Sequence, residues 1–161
     1  MDTIDRNIVS ALQKQGRMTN VELARMNDLA PSSMLERVRR LEEKGIIKGY
    51  RAVLEPKKLG YNVQALVMVT LDRHQERGID LFETGVLDVP EVRACYHVTG
   101  RYDYILNVAA RDIEHLGALV KHRLGAIGGV EKLETFLALS TVKEDEGYSL
   151  ALFGDPPAEE K

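Results

Sequence analysis

Residues 19–45 read TNVELARMNDLAPSSMLERVRRLEEKG, and the phasing of their apolar side chains decides the fold of the first third of the chain. Thr19 followed three residues later by Glu22 is a capping box, in which hydroxyl and carboxylate each satisfy a backbone N–H freed at a helix start. Val21, Leu23 and Ala24 supply the apolar contacts of that helix. The turn Met26-Asn27-Asp28-Leu29 interrupts it, and Pro31 then occupies a first helical position, where its missing N–H is harmless. From Pro31 onward Met34, Val38 and Leu41 recur on one face, and Lys44-Gly45 supplies a basic last turn and a C-cap glycine. Two helices joined by a short turn, the second rich in arginine, form a helix-turn-helix whose second helix fits the DNA major groove.

With Met34, Val38 and Leu41 set inward, a rotation of about 100° per residue turns Ser32, Ser33, Glu36, Arg39, Arg40 and Glu43 away from the core and leaves Arg37 on the flank. Residues near the start of such a helix reach base edges first, which nominates Ser32, Ser33 and Glu36. A glutamate can accept from cytosine N4, and Arg39 and Arg40 can bind guanine or phosphate. For an isolated basic helix, a solvated face balanced by Glu36, Glu42 and Glu43 is the simpler reading. The capped helix and tight turn before this one, and Lys48 and Arg51 after it, favour DNA.

Upstream, Ile4, Ile8 and Leu12 repeat at helical spacing after a cap at Asp2 or Thr3, and Gln15-Gly16-Arg17 ends the pattern. Downstream, Ile46 to Leu54 reads as a pair of short strands around Lys48-Gly49, a hairpin or wing. The segment from Glu55-Pro56 to Gly60 is the best domain boundary. These features divide the chain into a DNA-binding domain over 1–50, a hinge over 51–61, a second domain over 62–145 and a tail over 146–161.

Beyond the hinge the periodicity changes to two. Val63, Ala65, Val67, Val69 and Leu71 alternate, while Leu66 and Met68 make the other face apolar too. A helix phased on Ile79, Phe82 and Val86 follows, then strands on Val92 to Val98 and Tyr104 to Ala110. A helix phased on Ile113, Leu116, Val120, Leu124 and Ile127 precedes a last strand from Leu133 to Thr141. The order βαββαβ is the ferredoxin-like split unit, so the fold class is α+β. Two helices cover one sheet face, and the apolar residues opposite suggest that another subunit covers the other. The proline-bearing end from Gly154 to Lys161 is expected to fray.

Composition narrows the function classes. The net charge of −3 conceals an asymmetry: residues 1–60 hold 12 Lys and Arg against 8 Asp and Glu, and the remainder 10 against 17. Polyanion contact confined to one end fits that division. No run approaches the roughly 20 apolar residues of a membrane helix, and the acidic N-terminus lacks a signal peptide's features, so the cytoplasm is the default compartment. Cys95 is alone, and His74, His97, His115 and His122 are scattered. Cys95 and His97 share a strand face, yet a packed cysteine beside a partly exposed histidine is the simpler account. Gly125-x-x-Gly128-Gly129 lacks the strand and Lys-Ser/Thr of a phosphate loop. No enzyme, cofactor or metal site is expected. The alternative function is a ligand sensor or interaction module with weak or no DNA binding.

Asp5-Arg6-Asn7-Ile8, Gly16-Arg17, Glu22-Leu23-Ala24, the run Leu35 to Glu42, and Gly45-Ile46-Ile47-Lys48-Gly49-Tyr50 resemble the Lrp/AsnC (feast/famine) family of transcription regulators. The similarity resumes in Val98-Thr99-Gly100-Arg101-Tyr102-Asp103-Tyr104, in Gly129-Val130 and in Thr135-Phe136. The resemblance implies a winged helix-turn-helix followed by a RAM-type domain that dimerises through its sheets. It also implies octamers or other rings, a pseudo-palindromic operator on double-stranded DNA, and an amino-acid effector bound between subunits. It places effector binding at Gly100, Arg101, Tyr102, Asp103 and Thr135. There Asp103 can accept from an α-ammonium while Arg101 and backbone N–H groups hold the carboxylate, although a plain β-hairpin would use the same turn residues. Arg101 stands where many members carry an acidic residue, and Ala30 where a serine often caps the recognition helix.

Overall fold

The computed structural model describes residues 1–72 and 77–150. The C-terminal stretch expected to fray, and His74, lie outside the described residues. The described residues form two compact units, one of residues 1–53 with 143–150 and one of residues 54–72 with 77–142.

In the first unit, α1 (Thr3–Lys14), α2 (Asn20–Met26) and α3 (Pro31–Glu43) pack around Ile8, Leu23, Ala24, Met34, Val38 and Leu41. Asp2 is the N-cap of α1 and Thr19 that of α2, each in a reciprocal capping box, with Asp5 and Glu22 respectively. In the turn between α2 and α3, Asp28 takes a positive φ of 52°, a backbone state that Asp and Asn tolerate better than most residues. Asn27 donates from its amide to Leu23 O at 2.8 Å, closing the same turn. The N-cap of α3, Ala30, makes no side-chain cap, and Pro31 occupies the first turn.

The hairpin expected over Ile46 to Leu54 does not form: these residues contain no strand. The N–H groups of Ile46 and Ile47 instead donate to Leu41 O at 3.0 and 3.1 Å, wrapping the end of α3. A strand needs a ladder partner, and this segment has none among the described residues.

In the second unit, a short 3-10 turn (Pro56–Leu59) leads into β1 (Val63–Leu71), α4 (Gly78–Leu87), β2 (Val92–His97), β3 (Tyr104–Ala110), α5 (Ile113–His122), a second 3-10 turn (Leu124–Ala126) and β4 (Val130–Leu137). The antiparallel sheet has the order β2-β3-β1-β4. Both helices pack on one face, placing Phe82, Val86, Leu116 and Leu119 against Val67, Val69, Tyr104, Leu106 and Val108. The other face carries Leu66, Tyr96 and Phe136 at 42%, 60% and 50% exposure, an apolar surface that none of the described residues covers.

Three expectations shift. Ile79 and Ile113, both in first helical turns, are more than half exposed. The second helix stops at His122, and the 3-10 turn still buries Leu124 fully. Finally, β4 runs from Val130 to Leu137, not to Thr141. Its partner β1 begins at Val63, so beyond the bond from Ala138 N to Gln64 O at 2.9 Å no strand remains to pair with.

Candidate nucleic-acid interface and effector loop

The outer face of α3 exposes Ser32, Ser33, Glu36, Arg39 and Arg40, while Met34, Val38 and Leu41 are buried beneath it. Lys48 is exposed just beyond the helix. The arginines differ in what they touch. Arg37 places Nη1 2.6 Å from Asp2 Oδ2 and 2.8 Å from Asp5 Oδ1, so its guanidinium joins α3 to the start of α1. The two carboxylates hold the Arg37 pKa above its ordinary value against a small opposing effect of burial. Arg40 reaches Asp5 Oδ1 at 3.4 Å and stays about half exposed. Arg39 pairs with Glu43 at 2.9 Å across one exposed helical turn.

Sequence reasoning missed Leu35. It is 54% exposed and lines a shallow groove of about 290 Å3 with Arg39, Glu42 and Tyr50. Burial, reinforced by the hydrogen bond to Glu42 at 2.9 Å, pushes the Tyr50 phenol up to about 12. An apolar residue off the Met34–Val38–Leu41 stripe was the available signal.

The loop joining β2 to β3 holds Gly100, Arg101, Tyr102 and Asp103 together. Gly100 has φ 121°, which favours glycine. Val98 N donates to Asp103 O, and Asp103 N to Val69 O, both at 2.9 Å. The Asp103 carboxylate accepts from Leu71 N at 2.8 Å, so it ends β1 as well as shaping the loop. Arg101 lies 5.3 Å from the Tyr102 ring centroid and 3.4 Å from Glu134. Tyr102 donates its hydroxyl to Glu134 Oε2 at 2.9 Å, and Lys132 Nζ sits 2.7 Å from Glu134 Oε1.

Glu134 is therefore the hub of this loop, and sequence reasoning missed it. The Lys132 and Tyr102 hydrogen bonds hold its carboxyl below the usual range. Alternation along β4 was the usable signal, since it puts Lys132, Glu134 and Phe136 on one face. Thr135 pairs with Val67 and so belongs to the helix-covered face, apart from the Glu134 network.

Cys95, expected to be packed, is instead exposed at an edge strand. Partial desolvation and the nearby Glu83 charge push its thiol up, while His97 stacks on Tyr104 at 4.6 Å between centroids. Among the described residues, no helix is long and apolar enough to cross a membrane.

A helix-turn-helix with an outward-phased second helix, in a chain that also carries a βαββαβ unit with an uncovered sheet face, defines a two-part class of DNA-binding regulator. Residues 1–48 match the winged helix-turn-helix DNA-binding family, and residues 64–148 match the Lrp/AsnC ligand binding domain. The chain belongs to the Lrp/AsnC family of transcription regulators. It is 38% identical over 144 residues to the leucine-responsive regulatory protein of Escherichia coli K12, covering 89% of this chain and 88% of that one. Its structure is similar to a Neisseria meningitidis transcriptional regulator solved with L-methionine, with TM-score 0.85 and 32% identity over 89% of this chain and 93% of that one. It is also similar to a feast or famine regulatory protein of M. tuberculosis complexed with L-methionine, with TM-score 0.84, 33% identity and coverage of 91% and 97%.

Proposed function

We propose that this regulator reads a pseudo-palindromic DNA site through α3 and that a bound amino acid adjusts its assembly or its grip on DNA. The observation that carries the DNA reading is the phase of α3, with Ser32, Ser33 and Glu36 exposed over a core of Met34, Val38 and Leu41. In this reading Ser32, Ser33 and Glu36 face base edges, and Arg39, Arg40 and Lys48 face phosphates or guanines. Arg37, engaged by Asp2 and Asp5, sets the angle of the helix from behind.

The effector reading rests on the loop from Gly100 to Asp103, supported by two structural relatives that carry L-methionine. Asp103 has one carboxylate oxygen committed to Leu71 N, which leaves the other to accept from an α-ammonium. Arg101 sits at the exposed side for a carboxylate. Thr135 enters only if a second subunit brings the loop to it, and a second copy on the face of Leu66, Tyr96 and Phe136 is the assembly we infer. The functional boundaries follow the sequence: DNA reading over 1–50, hinge over 51–61, assembly and effector binding over 62–145, tail over 146–161. A cytoplasmic regulator without enzymatic activity is the reading consistent with this organisation.

Mobility shift on DNA upstream of its own gene tests the DNA half. Affinity should fall steeply with salt, with a slope of about −0.9 for each phosphate neutralised. A flat salt response, or no retained complex, favours a sensor module instead. Calorimetry across the twenty amino acids tests the other half. Asp103→Asn keeps an acceptor for Leu71 N and removes the charge, so it should weaken binding without unfolding the loop. Absence of heat with every amino acid overturns the effector reading.

A further inference from the structure

The sheet brings the start of its first strand and the end of its last together. Because β4 runs antiparallel to β1, with Leu137 opposite Ala65 and Ala138 N bonded to Gln64 O, the outgoing chain leaves the sheet beside the incoming one. The chain passes from the helix-turn-helix unit to the sheet unit after Val53 and returns at Lys143. The returning segment is fastened. Gln13, exposed near the end of α1, donates from Nε2 to Tyr148 O at 3.1 Å and accepts from Tyr148 N at 2.7 Å. One side-chain amide thus satisfies both backbone groups of one residue, as a strand partner would. Gly147 makes the approach possible. It has φ 93°, its N–H donates to Asp145 Oδ1 at 3.0 Å, and a Cβ there would sit 2.5 Å from Gln13 Oε1.

We propose that residues 143–148 are a strap that clips onto α1 through Gln13, so that the DNA-reading unit is held by two tethers, of which the second opens. The linker over 51–61 is covalent and permanent. The strap depends on a pair of exposed hydrogen bonds, each weak against water, so it opens far more readily than either unit unfolds. Closed, it restricts how far and in which direction the helix-turn-helix unit moves. Open, it leaves a single linker and a wider choice of positions.

Amide hydrogen exchange on the full chain tests the clip directly. Gln13→Met keeps the length of an exposed side chain and removes both bonds, and Gly147→Val blocks the approach from the other side. Each should speed exchange of the Tyr148 amide by about tenfold while leaving the amides of Leu23 and Val38 unchanged. Unchanged Tyr148 exchange in both variants overturns the clip, whatever the protein does with DNA. Mobility shift on operators whose half-sites are moved apart by about five base pairs, half a helical turn, tests the tether. Wild type should bind such operators worse than the native spacing, and both variants should lose less on the change. This second readout rests on the proposed reading of paired half-sites. An equal spacing penalty in wild type and variants, with native-site binding intact, overturns the tether. Failure of wild type to bind even the native site would count against the DNA reading instead.

Discussion

The Arg37 guanidinium donates to Asp5 Oδ1 at 2.8 Å, and Asp5 is buried at the base of the recognition helix. A buried carboxylate needs compensation, and removing the partner leaves the desolvation cost uncovered. Arg37→Met should destabilise the helix-turn-helix unit by about 2 kcal/mol, near the middle of the range for hydrogen bonds to charged groups, because Arg40 partly substitutes and Arg37 is a quarter exposed. Urea unfolding measures this. The salt slope of DNA binding should stay the same; a fall of about one would mean that Arg37 meets a phosphate.

Arg39 and Glu43 form the opposite case. Their 2.9 Å pair is exposed on both sides, and such a pair contributes only a few tenths of a kcal/mol. A DNA phosphate can displace Glu43, whose charge then opposes binding. Glu43→Gln should tighten operator binding by about threefold with little change in stability, and Arg39→Ala should lower the salt slope by about 0.9. Weaker binding by Glu43→Gln would show that the pair instead holds Arg39 in its reading position.

Glu134 organises the loop proposed to bind the effector, taking Tyr102, Arg101 and Lys132 together. Glu134→Gln keeps the shape and weakens all three contacts. Its expected signature is a loss of amino-acid affinity of about fivefold, modest because solvent screens these exposed charged contacts. Calorimetry reads it, with the unfolding midpoint as control. An unaltered affinity would detach the loop from ligand binding.

Acid should loosen the helix starts of the DNA-reading unit before its core. At Asp2, burial raises the pKa, but the Asp5 N–H and the Arg37 guanidinium together outweigh it and hold the carboxyl below its ordinary 3.8. The Thr19 N–H and hydroxyl hold Glu22 below 4.5. Both groups bind protons more weakly folded than unfolded. Their contribution is therefore present above the ordinary carboxylate values and is lost as pH falls through the lower folded ones. Amide exchange in α1 and α2 between about pH 6 and pH 3, corrected for intrinsic rates, should show protection falling with acid. Asp2→Asn and Glu22→Gln should flatten that fall. A fall of equal steepness in both variants would assign it to other carboxylates.

Much of the candidate interface was legible because it depends on local spacing. The Thr19–Glu22 box, the position of Pro31 and the period of Met34, Val38 and Leu41 are written within one or two helical turns, and the structure reproduces each. The partners of Arg37 were not legible. Asp2 and Asp5 lie more than thirty residues away, and only the packing of α1 against α3 brings them within reach. The same holds for Glu134 and Tyr102, 32 residues apart in sequence and joined by the order of strands.

By itself the sequence determined the two-part organisation, the order βαββαβ and the outward phase of α3, since capping and periodicity act between near neighbours. Tertiary structure alone decided where strands end and which charges are engaged. Ile46 to Leu54 has strand-like residues and no ladder partner among the described residues, so it stays irregular, with only Ile46 and Ile47 bonded to the end of α3. The alternation past Leu137 continues as far as Thr141, yet β1 stops offering backbone at Gln64, so the strand stops too. A backbone hydrogen bond needs both of its ends, and in a sheet the second end belongs to another segment of chain.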